Sequence, residues 1–303
     1  MRPFYPLRPA YRHGADTPWG GDALFRLYGK DIPDGRTGEA LEASTLKGLE
    51  SVTEDGRTLT EVAGGRLPLL LKLLDARQSL SVQVHPDDAY AARHENGKRG
   101  KTEAWVILDA APGAKLVYGV KPGTDVSALS GRDIEACLRY VEVSPGDVLF
   151  IPAGMVHAVG AGIVLYEIQQ ASDVTYRLWD WGRLGADGKP RALHLRQAAK
   201  VARADLQLDP VAGEAAAVEG GTVTRYLHTE HFTLDRLSVR GAMALPAAGG
   251  FRFVTALCAA ELFTQAERAL LSPGQTAFLP AGAQGVWVRA QGDLLVSGEG
   301  KGR

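Results

Sequence analysis

Short apolar runs separated by turn residues recur along this chain of 303 residues. PLLLKLLDA (68–76), SLSVQV (79–84), AWVILDA (104–110), DVLFIPA (147–153), IVLYEIQQ (163–170) and QTAFLPA (275–281) are bounded by Gly, Pro, Asp or Ser. Runs of this length predict strands, and strands at this spacing predict a sandwich or barrel. Helical periodicity is confined to Pro86–Arg93, Asp133–Tyr140 and His194–Arg203. These read as short helices decorating a sheet framework. The stretch 206–221, LQLDPVAGEAAAVEGG, is poor in bulky apolar residues and reads as a linker.

An internal repeat organises the strands. Ser144–Val159 reads SPGDVLFIPAGMVHAV, and 128 residues later Ser272–Trp287 reads SPGQTAFLPAGAQGVW, with seven of sixteen positions identical. Each copy offers a tight turn, a short strand and a second turn, the unit of a jelly-roll hairpin. The expected fold is therefore mainly β, with two jelly-roll domains and a few short helices: residues 1–205, a linker over 206–221, and a degenerate second domain over 222–303. His157 of the first copy is replaced by Gly285 in the second, so a metal site is expected only in the N-terminal domain. His228 and His231 have no matching framework around them and are not expected to be ligands.

Composition narrows the classes of function. Lys plus Arg (34) nearly balance Asp plus Glu (35), giving a net charge of -1. No bulk field draws this chain to nucleic acid or to an anionic membrane, so an anionic ligand must be met by a local cluster. Cys137 and Cys258 lie far apart in helix-like and strand-like surroundings and read as small core residues. The N-terminal MRPFYPLRPAYRH lacks the apolar stretch of a signal peptide, and no run approaches the length of a membrane span. The expectation is a cytoplasmic protein with no implied protein partner.

Candidate chemistry concentrates in two places. Ser81 to Glu103 and Gly146 to His157 supply Gln83, His85, Glu103 and His157, nitrogen and oxygen donors of the kind a divalent metal takes. In an extended strand, residues at i and i+2 share a face, so Gln83 and His85 can clamp from one side. A lone strand histidine is usually a satisfied core residue. Four such donors in two short motifs reverse that expectation.

The spacing G-x5-P-x-G-x2-H at Gly146, Pro152, Gly154 and His157 matches the second cupin motif, and the N-terminal half resembles a metal-binding cupin. SLSVQVHPDD, GKTEAWVILDA, IPAGMVHAVG and YEIQQASDVTYRLWDWGR together resemble the type I mannose-6-phosphate isomerases, in particular their short bacterial branch. WGG (19–21), GEALEAS (38–44), PLLLKLLDA and GKPRALH (188–194) extend the likeness over most of the first two-thirds of the chain.

The resemblance implies one zinc ion per chain on Gln83, His85, Glu103 and His157, with Arg177 as the active-site arginine. It implies interconversion of mannose 6-phosphate and fructose 6-phosphate through an enediolate. Two imidazoles and a carboxylate suit zinc, and the absence of cysteine ligands argues against a purely structural site. Arg177 keeps its charge at neutral pH and is expected to clamp the enediolate or the phosphate. The proton carrier is not singled out: Lys101, two residues before Glu103, is one candidate and a metal-bound hydroxide another. Ser81, two before Gln83, is expected to help hold substrate or steady the ligands. Two further readings stay open, an isomerase of free aldoses such as mannose, lyxose or ribose, and a carbohydrate-binding cupin without turnover. Leu41 and Ala104 stand where the family more often has Trp and Met, and both are expected to open space beside the site.

Overall fold

A computed structural model describes residues 2–126, 131–184, 188–246 and 248–300. The chain is mainly β, as the spacing of its apolar runs requires. A six-stranded antiparallel sheet runs in the order Val148–Ile151, Glu103–Ala110, Ile163–Gln170, Leu69–Ala76, Thr37–Ala43, Ala10–His13. A five-stranded sheet runs Tyr176–Trp179, Val82–Val84, His157–Ala158, Lys115–Val120, Leu138–Glu142. Leu74, Trp105, Ile107, Leu149 and Leu165 of the first sheet share one buried core with Leu116 and Tyr118 of the second. The two sheets are thus the walls of a cupin-like jelly roll.

The six-stranded sheet is covered on its other face as well. Leu71, Leu73, Val106, Tyr166 and Ile168 pack with Phe232, Phe253, Phe278 and Leu295 of a third sheet. Burial on both faces explains why PLLLKLLDA is almost continuously apolar instead of alternating. The third sheet has ten strands, eight of them in the order Glu214–Val218, Gly221–His228, Phe232–Ala244, Trp287–Glu299, Arg252–Ala256, Thr276–Leu279, Tyr5–Arg8, Val52–Thr53. Ala260–Phe263 branches from Trp287–Glu299 and pairs with Arg268–Leu271.

Both copies of the repeat take the same local form. Asp147 N donates to Ser144 O at 3.1 Å and Gln275 N to Ser272 O at 2.9 Å. Gly146 and Gly274 have φ of 97° and 77°, a conformation that L side chains rarely adopt, which is why the turn keeps glycine. The strands Val148–Ile151 and Thr276–Leu279 follow.

Several details differ from expectation. The first strand, Tyr5–Arg8, joins the third sheet through Tyr5 opposite Phe278. Within 206–221, Glu214–Val218 is a strand, Leu206 and Leu208 pack on the jelly-roll core, and Val211 N donates to Val148 O at 2.7 Å. Helices form at Asp88–His94 and Leu195–Val201. Asp133–Tyr140 is helical only in part: Gly131–Cys137 is a 3-10 helix and Leu138–Glu142 a strand. Ile134 and Leu138, four apart, enter the same core, and their spacing mimicked a helical face. Short helices also form at Ala23–Tyr28 and Leu59–Ala63. The second carries a capping box in which Glu61 N donates to Thr58 and Thr58 N donates to Glu61 Oε2 at 2.6 Å. No helix among the described residues is long and apolar enough to cross a membrane.

Candidate metal centre

The donors meet between the two jelly-roll sheets: His85, Glu103 and His157 stand at strand ends, and Gln83 at the centre of the short strand Val82–Val84. His157 begins its strand and is the register partner of Gln83, while Arg177 is the partner of Gln83 on its other side. Cross-strand partners project to one face, so Arg177, Gln83 and His157 form a row across three strands. His85 follows directly after Val82–Val84 on the face of Gln83. Glu103 opens its strand in the opposite sheet, paired with Ile151 and Gln169.

Glu103 Oε1 lies 3.5 Å from His85 Nε2, and its Oε2 lies 3.5 Å from His157 Nε2. The ligating atoms of the three residues all fall within 4.8 Å of one another. Separations of this size match the edges, about 3.4 Å, of a tetrahedron of donors bonded at about 2.1 Å. The Gln83 amide nitrogen is 3.3 Å from His157 Nε2, and Gln83 Oε1 accepts from Ser81 Oγ at 3.3 Å. All four sequence-derived donors are therefore together, with Ser81 steadying the amide.

The imidazoles are set in the orientation that a cation needs. His85 Nδ1 donates to Val174 O at 2.8 Å and His157 Nδ1 to Met155 O at 2.9 Å, leaving both Nε2 lone pairs turned toward Glu103. Burial holds His85 well below the ordinary histidine value and lowers His157 to about 4, so both stay neutral ligands at neutral pH. Burial, joined by the charge of Glu167, pushes the Glu103 carboxyl up. Its Oε2 is fully buried with no hydrogen-bond partner, while Oε1 accepts from Lys101 Nζ, which also stands 3.3 Å from His85 Nε2. An ammonium thus substitutes for part of what a divalent cation would supply. The donor set fits such a cation: two neutral imidazoles, a carboxylate with an orphaned oxygen, and an adjacent amide.

A cavity of about 310 Å³ opens in front of the centre, with Gln83, Lys101, Ser81 and Arg177 on its wall. The ordering of its charges is absent from the sequence reading. Lys72 Nζ lies 3.4 Å from both Glu39 Oε2 and Glu167 Oε1, Arg12 lies 3.5 Å from Glu39, and Trp105 Nε1 donates to Glu167 Oε2 at 2.9 Å. The signal was present as single charged residues inside the apolar runs GEALEAS, PLLLKLLDA and YEIQQ. Arg177 donates through Nη1 to Ala192 O at 3.0 Å, has no ion pair among the described residues, and keeps a buried Nε without a partner.

Other expectations resolve simply. His228, at the end of a strand of the third sheet, pairs with Asp235 at 3.0 Å, and His231, in the turn that follows, lies near Glu230; both are apart from the donor cluster. Leu41, the register partner of Lys72, is on the cavity side. Ala104 is not: its partners are Ile168 and Phe150, and it packs between the six-stranded and third sheets. A strand residue next to a ligand points away from that ligand, so Ala104 opens no space beside the site.

Known proteins resemble this chain in sequence and in fold. A family model described as the catalytic domain of type I phosphomannose isomerase matches residues 34–104. Mannose-6-phosphate isomerase ManA of Bacillus subtilis is 38% identical over 245 residues, 75% of this chain and 78% of that protein. A mannose-6-phosphate isomerase of Streptococcus mutans is 33% identical over 284 residues, 86% of this chain and 88% of that protein. The crystal structure of the mannose 6-phosphate isomerase from Bacillus subtilis superposes with a TM-score of 0.88 at 30% identity, covering 98% of this chain and 99% of that one. A mannose 6-phosphate isomerase bound with zinc and yttrium shares the fold at a TM-score of 0.77 and 16% identity, covering 99% of this chain and 100% of that one. Fold and donor set define a cupin-like protein with a buried centre suited to a divalent cation. Within that class, the chain belongs to the type I phosphomannose isomerase family.

Proposed function

We propose that this chain interconverts mannose 6-phosphate and fructose 6-phosphate, with one zinc ion per chain held by Gln83, His85, Glu103 and His157. The observation that carries this reading is the convergence of two imidazole Nε2 atoms on a buried, half-orphaned Glu103 carboxylate, behind Gln83 and Lys101 on the wall of a charged cavity. Family membership supplies the substrate class, through relatives named as mannose-6-phosphate isomerases.

Isomerisation removes a proton from C2, spreads negative charge over O1 and O2, and returns the proton to C1. Zinc in this donor set supplies a Lewis acid that lowers the cost of that charge. Arg177, unpaired and facing the same cavity, offers a fixed positive charge to the enediolate without giving up a proton. Lys101 presents Nζ to the cavity beside the ligands and is the side chain best placed to carry the proton. Ser81 holds the Gln83 amide in position. Trp19, Leu80 and Trp105 line the same cavity and limit water around the reacting carbons.

The test is a coupled assay of mannose 6-phosphate turnover on metal-analysed protein. Expected is chelator-sensitive turnover that zinc restores, well above turnover of free mannose, and abolished in Arg177→Ala with zinc retained. Zinc-loaded protein inactive on the phosphate but active on free mannose, lyxose or ribose would replace this reading with a free-aldose isomerase. Inactivity on all of them would leave a binding cupin.

A further inference from the structure

We propose that Arg191 and Arg183, arranged with Arg177 around the single buried carboxylate of Asp180, form a subsite that recognises a phosphate monoester dianion. This rests on the isomerase reading and identifies the part of the site that selects the phosphorylated sugar.

The local backbone brings these residues together. Leu184 and Pro190 form an antiparallel bridge that pins the two ends of the segment carrying Arg183 and Arg191. The chain then runs beside Tyr176–Trp179, with Arg177 Nη1 donating to Ala192 O at 3.0 Å and His194 N donating to Arg177 O at 2.8 Å. Asp180 is 4% exposed and takes a bidentate pair from Arg191, Nε at 2.6 Å and Nη2 at 2.7 Å, while Arg183 Nη1 stands 4.0 Å away.

Arg191 pairs with Asp180 and Arg183 stands 4.0 Å from it, while Arg177 has no ion pair among the described residues, so three neighbouring guanidiniums meet one carboxylate, a surplus of two positive charges. A phosphate monoester near neutral pH carries about -1.5 to -2. Asp180 uses two of the five N–H groups of Arg191, and Arg191 lines the cavity with its remaining donors available. Arg177 Nε and Arg183 Nη1 are buried without hydrogen-bond partners among the described residues, a state that an arriving oxyanion would relieve. Burial first, and the charge of Arg191 after it, disfavour the charged form of both Arg177 and Arg183, with Asp180 opposing. Since Arg177 is the register partner of Gln83, the subsite begins one strand spacing, about 5 Å, from the metal ligands. A sugar can then reach the centre with one end and the arginines with the other.

Inorganic phosphate is the probe, titrated calorimetrically into the zinc-loaded protein and assayed as a competitor of turnover. Binding is expected, competitive with mannose 6-phosphate, and weakened about tenfold or more in Arg191→Met, as expected for loss of a charge-assisted contact, at unchanged zinc content and with a lower melting temperature because Asp180 loses its bidentate partner. Arg191→Lys keeps the charge but loses the fork and is expected to weaken binding several-fold. It serves as the test if the methionine variant does not fold. Phosphate affinity indifferent to Arg191, or binding that vanishes with the metal alone, would overturn the subsite. If mannose 6-phosphate is not turned over but phosphate still binds through Arg191, the subsite stands and the isomerase reading falls.

Discussion

Lys101 Nζ donates to Glu103 Oε1 and stands 3.3 Å from His85 Nε2, so a buried ammonium occupies the side of the cluster where two metal donors converge. A metal and this lysine compete for the same carboxylate oxygen. Lys101→Met removes the competitor while keeping the bulk of the stem. Zinc affinity, read by competition with a chromophoric chelator, is expected to rise about tenfold, the size of effect that neighbours of ligands typically exert. Turnover is expected to fall by about 10² to 10⁴, the usual worth of a positioned proton carrier. A variant with full turnover would remove Lys101 from the mechanism, and unchanged affinity would show that the ammonium leaves the cluster at no cost.

The buried imidazoles make the metal-free protein acid-sensitive in a defined window. Burial lowers His157 to about 4, against about 6.5 in an unfolded chain. The depressed value means that the unfolded chain takes up the proton first. The stabilisation is fully present above pH 6.5 and is lost as the pH falls through 4. Its size is on the order of 3 kcal/mol. Glu103, raised in the native state, runs the opposite way and is lost as the pH rises, so the measurement has to be a difference. Denaturant melts of metal-free wild type and His157→Gln at pH 7.5 and 4.5 should show the wild type losing roughly 2–3 kcal/mol more than the variant. A gap that does not move would mean that His157 titrates normally in the fold.

The candidate donors were legible because their chemistry is local. Gln83 and His85 need only strand periodicity to share a face, and His157 sits in a turn motif whose glycines are readable. Long-range pairing leaves no such trace: nothing in YPLR announces that Tyr5 will lie opposite Phe278. The Glu39–Lys72–Glu167 row was hidden for a related reason. Each member is one charge in an apolar strand, and only the register places the three side by side. The capping residues Thr58 and Glu61, by contrast, were a readable signal that the apolar periodicity of so short a helix was too brief to support.

That buried row has a stability consequence of its own. Lys72 is 6% exposed and lies between Glu39 and Glu167 at 3.4 Å from each. Removing the central cation leaves Glu39 with Arg12 alone and strands Glu167 in a poorly solvated space, where its Oε1 already lacks a hydrogen-bond partner among the described residues. Lys72→Met is expected to cost about 3–5 kcal/mol. Adding Glu167→Gln should return part of that loss, because the neutral amide no longer needs the cation while it can still accept from Trp105 Nε1. Urea unfolding of the two single variants and the double variant measures the coupling. Simple additivity would show that Lys72 and Glu167 do not act on each other.

Ala104 separates packing from chemistry at a single peptide bond from the candidate ligand Glu103. It is fully buried in the core shared by the six-stranded and third sheets, with Ile168 and Phe150 as cross-strand neighbours, while Glu103 faces the opposite way into the centre. A methionine at 104 has to be accommodated between two sheets that already meet, and overpacking of this kind costs about 1–3 kcal/mol. The expected outcome for Ala104→Met is a lower melting temperature with zinc content and kcat/KM for mannose 6-phosphate where they were. Leu41→Trp, on the cavity side opposite Lys72, is expected to do the reverse and act on KM. If Ala104→Met changed kcat/KM in fully folded protein, the two sheets would be transmitting strain to Glu103. The third sheet would then be part of the catalytic apparatus instead of its support.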